Sequence, residues 1–110
     1  MKYWKVSVGL VRYRVNLTDR AARDLERLYD SIHAAASEKA LDWFNKLAET
    51  IYSLDRFPER GAQNPKNKTQ RQLFFGNKPN VYKILYDTDK RRRVVSVVHI
   101  RHGSRTFPSK

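Results

Sequence analysis

The residues best suited to chemistry lie near the end of the chain, where Val94-Val95-Ser96-Val97-Val98-His99-Ile100 runs into Arg101-His102-Gly103-Ser104-Arg105. A β-branched run of this kind is a core strand, and His and Arg at its end make a rim of proton-exchanging and anion-binding groups on a rigid support. Side chains alternate along a strand, so His99 and Arg101 share a face with Val95 and Val97, while Ile100 and His102 point the other way. Beside the cationic Arg101, His99 is expected as a neutral imidazole, the form a general base needs. Arg71 and Lys83, in neighbouring strands, can approach the same rim. Arg71, Lys83, His99 and Arg101 are therefore the candidate catalytic residues, and Lys66, Lys68, His102 and Arg105 the candidate binding residues.

Each of these has a plainer reading. His99 can be a strand-end histidine with one nitrogen satisfied by a backbone carbonyl, and His102 a turn residue before Gly103. Their His-x-x-His spacing on a strand sends the rings to opposite faces, and no carboxylate is close in sequence, so neither a metal nor another cofactor is expected. Ser104 lacks the strand-to-helix elbow of a nucleophilic serine.

A rim of this kind needs a sheet behind it. Val11, Tyr13, Val15 and Leu17 alternate with polar residues and predict a first strand. Thr18 reads as an N-cap with Asp19 at the positive end of a helix, and Ala22, Leu25, Leu28, Tyr29 and Ile32 recur at helical spacing, giving a helix over about Asp19 to Ala34. Ser37 caps a second helix over about Glu38 to Arg56, whose stripe of Leu41, Phe44, Leu47, Ile51 and Leu54 stops at Phe57-Pro58. Ala34-Ala35-Ala36 would tolerate one continuous helix, but two shorter helices can both cover one sheet, which favours a hairpin.

Glu59 to Thr69 has no apolar period and reads as a basic loop. Arg71–Phe75, Val81–Tyr86 and Arg93–Arg101 then form strands joined by turns at Gly76–Asn80 and Asp87–Lys90, with Tyr82, Ile84 and Tyr86 as core. The expected fold class is α+β: an N-terminal strand, a two-helix hairpin, then a three-stranded antiparallel meander, with the helices packed on one sheet. A chain of 110 residues is one domain, here 1–110, with residues 1–10 as an apolar N-terminal extension that can lengthen a strand or meet a partner.

Charge narrows the function. Of the net +12, residues 1–55 contribute nine Lys/Arg against eight Asp/Glu, and residues 56–110 fourteen against three. An excess confined to one half points to a polyanion or an acidic partner. The chain has no Cys, so disulfides and thiolate metal sites are excluded. No apolar run approaches the ~20 residues of a membrane span, and Lys5 and Arg12 break up any signal-like region; a cytoplasmic protein without a membrane partner is expected.

Several pieces in order carry a family resemblance. Leu17-Thr18 with Ala21, Ala22, Asp24 and Leu25, then Phe57-Pro58-Glu59-Arg60-Gly61, Tyr82-Lys83-Ile84-Leu85-Tyr86, and Val98-His99-Ile100-Arg101-His102-Gly103 with Arg105 resemble the RelE/ParE superfamily of plasmid-stabilisation toxins, over about Val15 to Arg105. The resemblance implies the growth-inhibiting half of a type II toxin–antitoxin pair, silenced by a cognate, acidic antitoxin, as a homodimer or a hetero-oligomer. It also implies one of two targets: ribosome-bound mRNA, cleaved as in RelE-like members, or DNA gyrase, inhibited without catalysis as in ParE-like members. Cleavage by a ribose 2′-hydroxyl needs a base, an electrophile for the phosphate and a proton source. In RelE-like ribonucleases strand arginines contact the scissile phosphate, which makes Arg71 and Arg101 the counterparts here. Catalytic branches commonly end in Tyr or His-Tyr, whereas this chain ends Arg105-Thr106-Phe107-Pro108-Ser109-Lys110, and Phe107 exchanges no proton. Two other readings stand beside the toxin: a non-enzymatic basic nucleic-acid-binding module and an inactive toxin relic.

Overall fold

The computed structural model of the chain describes residues 12–103. The extension 1–10, Val11 and Arg105 lie outside the described residues. Strand β1 (Arg14–Leu17) exposes Arg14 and Asn16 and turns Val15 and Leu17 inward. Thr18 Oγ1 accepts the Ala21 N–H at 3.1 Å and caps α1 (Asp19–Ser31); Ser37 Oγ accepts the Ala40 N–H at 3.1 Å and caps α2 (Glu38–Tyr52). Asp19 and Glu38 sit in the first turns, where the helix dipole favours an anion.

The helical hairpin is present, and α1 ends sooner than Ala34. His33 takes φ 60°, its N–H donates to the Asp30 carbonyl at 3.1 Å, and the Ala34 N–H reaches back to the Tyr29 carbonyl at 3.0 Å. These two bonds around a left-handed residue are a Schellman closure, which satisfies the last carbonyls and turns the chain despite the helix-favouring alanines. After α2 a 3-10 turn (Ser53–Asp55) brings Leu54 into the core.

The remaining chain forms β2 (Ala62–Asn64), β3 (Asn67–Phe75), β4 (Tyr82–Asp89) and β5 (Val94–His102). The sheet order is β1-β5-β4-β3-β2, antiparallel throughout except that β1 runs parallel to β5. The stretch expected as a basic loop is instead a β2–β3 hairpin. Its polar residues pair through the backbone, and the turn is closed by Asn64 Oδ1 accepting the Lys66 N–H at 2.9 Å. Strand β4 continues to Asp89, past the turn expected at Asp87–Lys90, because Asp87, Thr88 and Asp89 pair with Ser96, Val95 and Val94.

The core lies between helices and sheet. Ala21, Leu28, Leu47, Ile51 and Leu54 meet Ile84, Tyr86, Val95, Val97 and Ile100. Tyr86 is fully buried, and its hydroxyl accepts the Gly61 N–H at 2.8 Å. A Cβ at Gly61 would come within 2.6 Å of the Gln72 carbonyl oxygen, so the 59–61 segment closes over Tyr86 only because that residue is glycine. Among the described residues no helix is long and apolar enough to cross a membrane.

Candidate functional site

Strand β1 stops at Leu17, which leaves the second half of β5 without a strand on that side. The start of α1 takes the place of that strand. The Thr18 N–H donates to the Val97 carbonyl at 3.0 Å, its hydroxyl to the Val98 carbonyl at 3.3 Å, and Asp24 Oδ2 accepts the Ile100 N–H at 2.9 Å. The same carboxylate oxygen lies 2.6 Å from His99 Nδ1, and Arg20 Nη2 lies 3.2 Å from His99 Nε2. In the Nδ1–H tautomer the ring donates to Asp24 and accepts from Arg20, so both nitrogens are occupied. Burial pushes the Asp24 carboxyl upward, but the Ile100 N–H, His99 and Arg20 outweigh it and hold the group below its ordinary value of 3.8.

The strand is not evenly alternating. Leu85 pairs with His99 and Tyr86 with Val97, so Val98 has no opposite residue and forms a bulge. Ile100 is consequently buried on the same side as Val95 and Val97, and not on the opposite side as strict alternation implied. Nor is Arg101 the charge that governs His99: the charged groups at hydrogen-bond distance are Asp24 and Arg20 of α1. The satisfied-histidine reading holds in a modified form, with a carboxylate where a backbone carbonyl was expected.

On the side away from the helices, Lys83 and Arg101 stand directly opposite each other across β4 and β5, and Phe74 flanks Lys83 on β3. Ile84 and Tyr86 are fully buried under the helices, which fixes Lys83 and Leu85 on the outer face. Two cations opposite one another repel, and no carboxylate lies within 4 Å of either among the described residues. The result is an electropositive spot beside Phe74, which is 38% exposed. Gly103 lets the chain pass close by, since a Cβ there would sit 3.3 Å from the Lys83 Cβ.

The other expected residues lie elsewhere. Arg71 pairs with Tyr86 and so faces the helix side, where its Nη1 donates to the Glu59 and Gly61 carbonyls at 3.2 and 2.8 Å. Its buried Nε has no hydrogen-bond partner. Burial pushes the Tyr86 phenol above its ordinary value, against the Gly61 N–H and the Arg71 and Arg60 cations, so it stays a neutral hydroxyl. Lys66 and Lys68 are exposed on the β2–β3 hairpin, about 20 Å along β3 from Phe74 at a strand's rise per residue. His102 is the last residue of β5 and not a turn residue; its ring meets Tyr82 edge-on at 5.0 Å, and Tyr82 meets Trp43 at 5.5 Å.

The structure thus gathers Lys83 and Arg101 into one electropositive spot, ties His99 into the α1–β5 seam, and gives Arg71 to the opposite layer. Sequence reasoning missed Arg20 and the role of Asp24. The available signal was a carboxylate on the inward stripe of α1, between Ala21 and Leu28, where a buried charge requires a partner. Among the described residues no group of three or more His, Cys, Asp or Glu is placed to hold a metal ion.

A family model for the ParE toxin of the type II toxin–antitoxin system, parDE, matches residues 15–107. No curated protein sequence matches the chain. Among solved structures, the RelBE2 toxin–antitoxin complex of Mycobacterium tuberculosis is 24% identical, with 84% of this chain and 99% of that chain covered, at a TM-score of 0.61. The chromosomal ParDE system of P. aeruginosa is 20% identical, covering 83% of this chain and 96% of that one, at 0.63. A double Arg→Ala mutant of the E. coli toxin RelE in the free state is 13% identical, covering 84% and 85%, at 0.61. At these identities the likeness is one of fold.

Proposed function

The chain belongs to the ParE toxin family of type II toxin–antitoxin systems, and from that premise we propose that it stops growth by binding DNA gyrase and not by cutting RNA. The supporting observation is that His99, which shares the outer face with Lys83 and Arg101, is already held from α1, while Arg71 lies on the other side of the sheet. Cleavage needs a base, an electrophile and a proton source at one point. Here both nitrogens of His99 are engaged by Asp24 and Arg20, and Arg71 serves the helix side, so among the described residues Lys83 and Arg101 have no free imidazole beside them. Such a face binds; it does not transfer protons.

Lys83, Arg101 and Phe74 are the centre of the contact surface in this reading: two cations for an acidic target and one aromatic side chain for packing. A cognate antitoxin holds the toxin inactive, and the net charge of +12 favours an acidic one. The cytoplasm, where gyrase works, is the site of action.

The test is induction in a bacterial host without antitoxin, following growth, protein synthesis and the DNA-damage response together. Wild type and His99→Ala should raise the damage response before protein synthesis falls, and Lys83→Glu/Arg101→Glu should restore growth. Early arrest of translation, with new transcript 5′ ends that vanish in His99→Ala, would show a ribonuclease instead.

A further inference from the structure

The basic excess collects at a second place, at the far end of β5 from the rim. A concavity of about 650 Å³ opens there between Arg12 and Arg14 on one side and Arg92 and Arg93 on the other. Asn16 and Ser96, paired across β1 and β5, form its floor. Its single carboxylate, Asp89, accepts the Arg92 N–H at 3.0 Å and lies 3.9 Å from the Arg92 guanidinium. Arg12 approaches Asp55 at 3.5 Å. Among the described residues no carboxylate comes within ion-pair distance of Arg14 or Arg93.

The backbone keeps these cations together at a cost. Arg93 holds φ 59°, a conformation that glycine or asparagine adopts more cheaply, and its carbonyl accepts the Arg14 N–H at 2.9 Å. The adjoining concavity beyond Ser96 behaves differently. It carries Glu59 and Asp87 besides Asp89, and Lys90 closes on Glu59 at 3.3 Å, so its charge is compensated from within.

We infer that the arginine concavity is a phosphate seat for a nucleic-acid backbone. Guanidinium forks match phosphate oxygens, and neutral Asn and Ser side chains are the usual additional donors. The lining has no aromatic or large aliphatic residue in which an acidic protein could anchor a hot spot, which favours a phosphodiester over a protein ligand. The bulge at Val98 switches the outward positions of β5 from even to odd, so Ser96 and Arg101 both face away from the helices. The seat and the Lys83–Arg101 rim therefore lie on one face, about 20 Å apart along β5. A duplex lying across that face meets cations at both ends.

Binding of the purified full-length chain to a labelled 20-base-pair duplex of arbitrary sequence, measured by anisotropy over a range of salt, tests this independently of gyrase. Arg14→Ala/Arg93→Gly should lower the slope of log K against log salt by about 2, since each phosphate contact contributes about 0.9. Arg23→Ala/Arg27→Ala, which removes the same charge from the exposed side of α1, should leave the slope unchanged. If the Arg14/Arg93 variant does not fold, Arg12→Ala/Arg92→Ala reads the same seat. Equal slope losses in the seat and α1 variants, no loss in the seat variant, or displacement of the duplex by polyglutamate of equal charge at equal concentration would each overturn the inference.

Discussion

Replacing Asp24 probes the seam on which the rim is built. The carboxylate receives the Ile100 N–H at 2.9 Å and His99 Nδ1 at 2.6 Å, and its side chain is only 10% exposed, so water cannot take over either bond fully. Hydrogen bonds to a charged group contribute about 1.5–3 kcal/mol each; two on one acceptor are not additive, so Asp24→Ala should cost roughly 3 kcal/mol. For a domain of this size that lowers Tm by about 10–15 °C. Asp24→Asn keeps one acceptor and should lose roughly half as much. Because the folded carboxyl lies below its ordinary value of 3.8, its stabilisation is complete above the unfolded value and disappears as pH falls through the folded one. Acidification below about pH 4 should therefore narrow the stability gap between wild type and Asp24→Asn. Thermal and denaturant melts of the three proteins between neutral and acidic pH measure all of this. An Asp24→Ala loss below about 0.5 kcal/mol, within the range of ordinary surface substitutions, would refute the idea that Asp24 stands in for the missing strand.

Other substitutions separate structure from contact. Tyr86→Phe strands the buried Gly61 N–H and should cost about 1–3 kcal/mol in denaturant melts. Gly61→Ala drives a methyl to 2.6 Å from the Gln72 carbonyl oxygen and should cost a similar amount, about 1–3 kcal/mol, by the same assay. Arg71→Met, which releases the Glu59 and Gly61 carbonyls, should lower Tm while the folded fraction keeps its target affinity in a pull-down. Lys83→Glu should do the reverse: affinity falls at least tenfold and Tm stays within a few degrees, since the side chain opposes only Arg101 and Phe74.

Most of the architecture was legible because it rests on periodicity and caps. Thr18 and Ser37 cap the helices as their types suggest, and the apolar stripes of both helices, apart from the exposed Ala22 and Leu41, meet the Val and Tyr positions of the sheet. The end of α1 was hidden because His33 occupies the left-handed position that glycine usually signals. Strand β2 was hidden because it pairs through backbone bonds and the polar side chains of Gln63 and Asn64 and carries no apolar alternation. The bulge at Val98 leaves no mark in a strand rich in β-branched residues on both sides, yet it decides which side of β5 each functional group occupies. Arg71 illustrates the same limit: its strand was legible, but the side it faces depends on the register across the β3–β4 turn. The Asp24–His99 pair joins residues 75 positions apart, and only the placement of α1 beside the open edge of β5 brings them together.

The proposed mode of action is inhibition of a target by occupying it. The most direct measurement adds purified chain to purified DNA gyrase and follows supercoiling and cleaved DNA, beside a parallel reaction with programmed ribosomes and mRNA. Inhibition of gyrase should saturate with toxin, be lost in Lys83→Glu/Arg101→Glu and survive His99→Ala, with the mRNA intact. Cleaved mRNA at substoichiometric toxin, with gyrase unaffected, would contradict it.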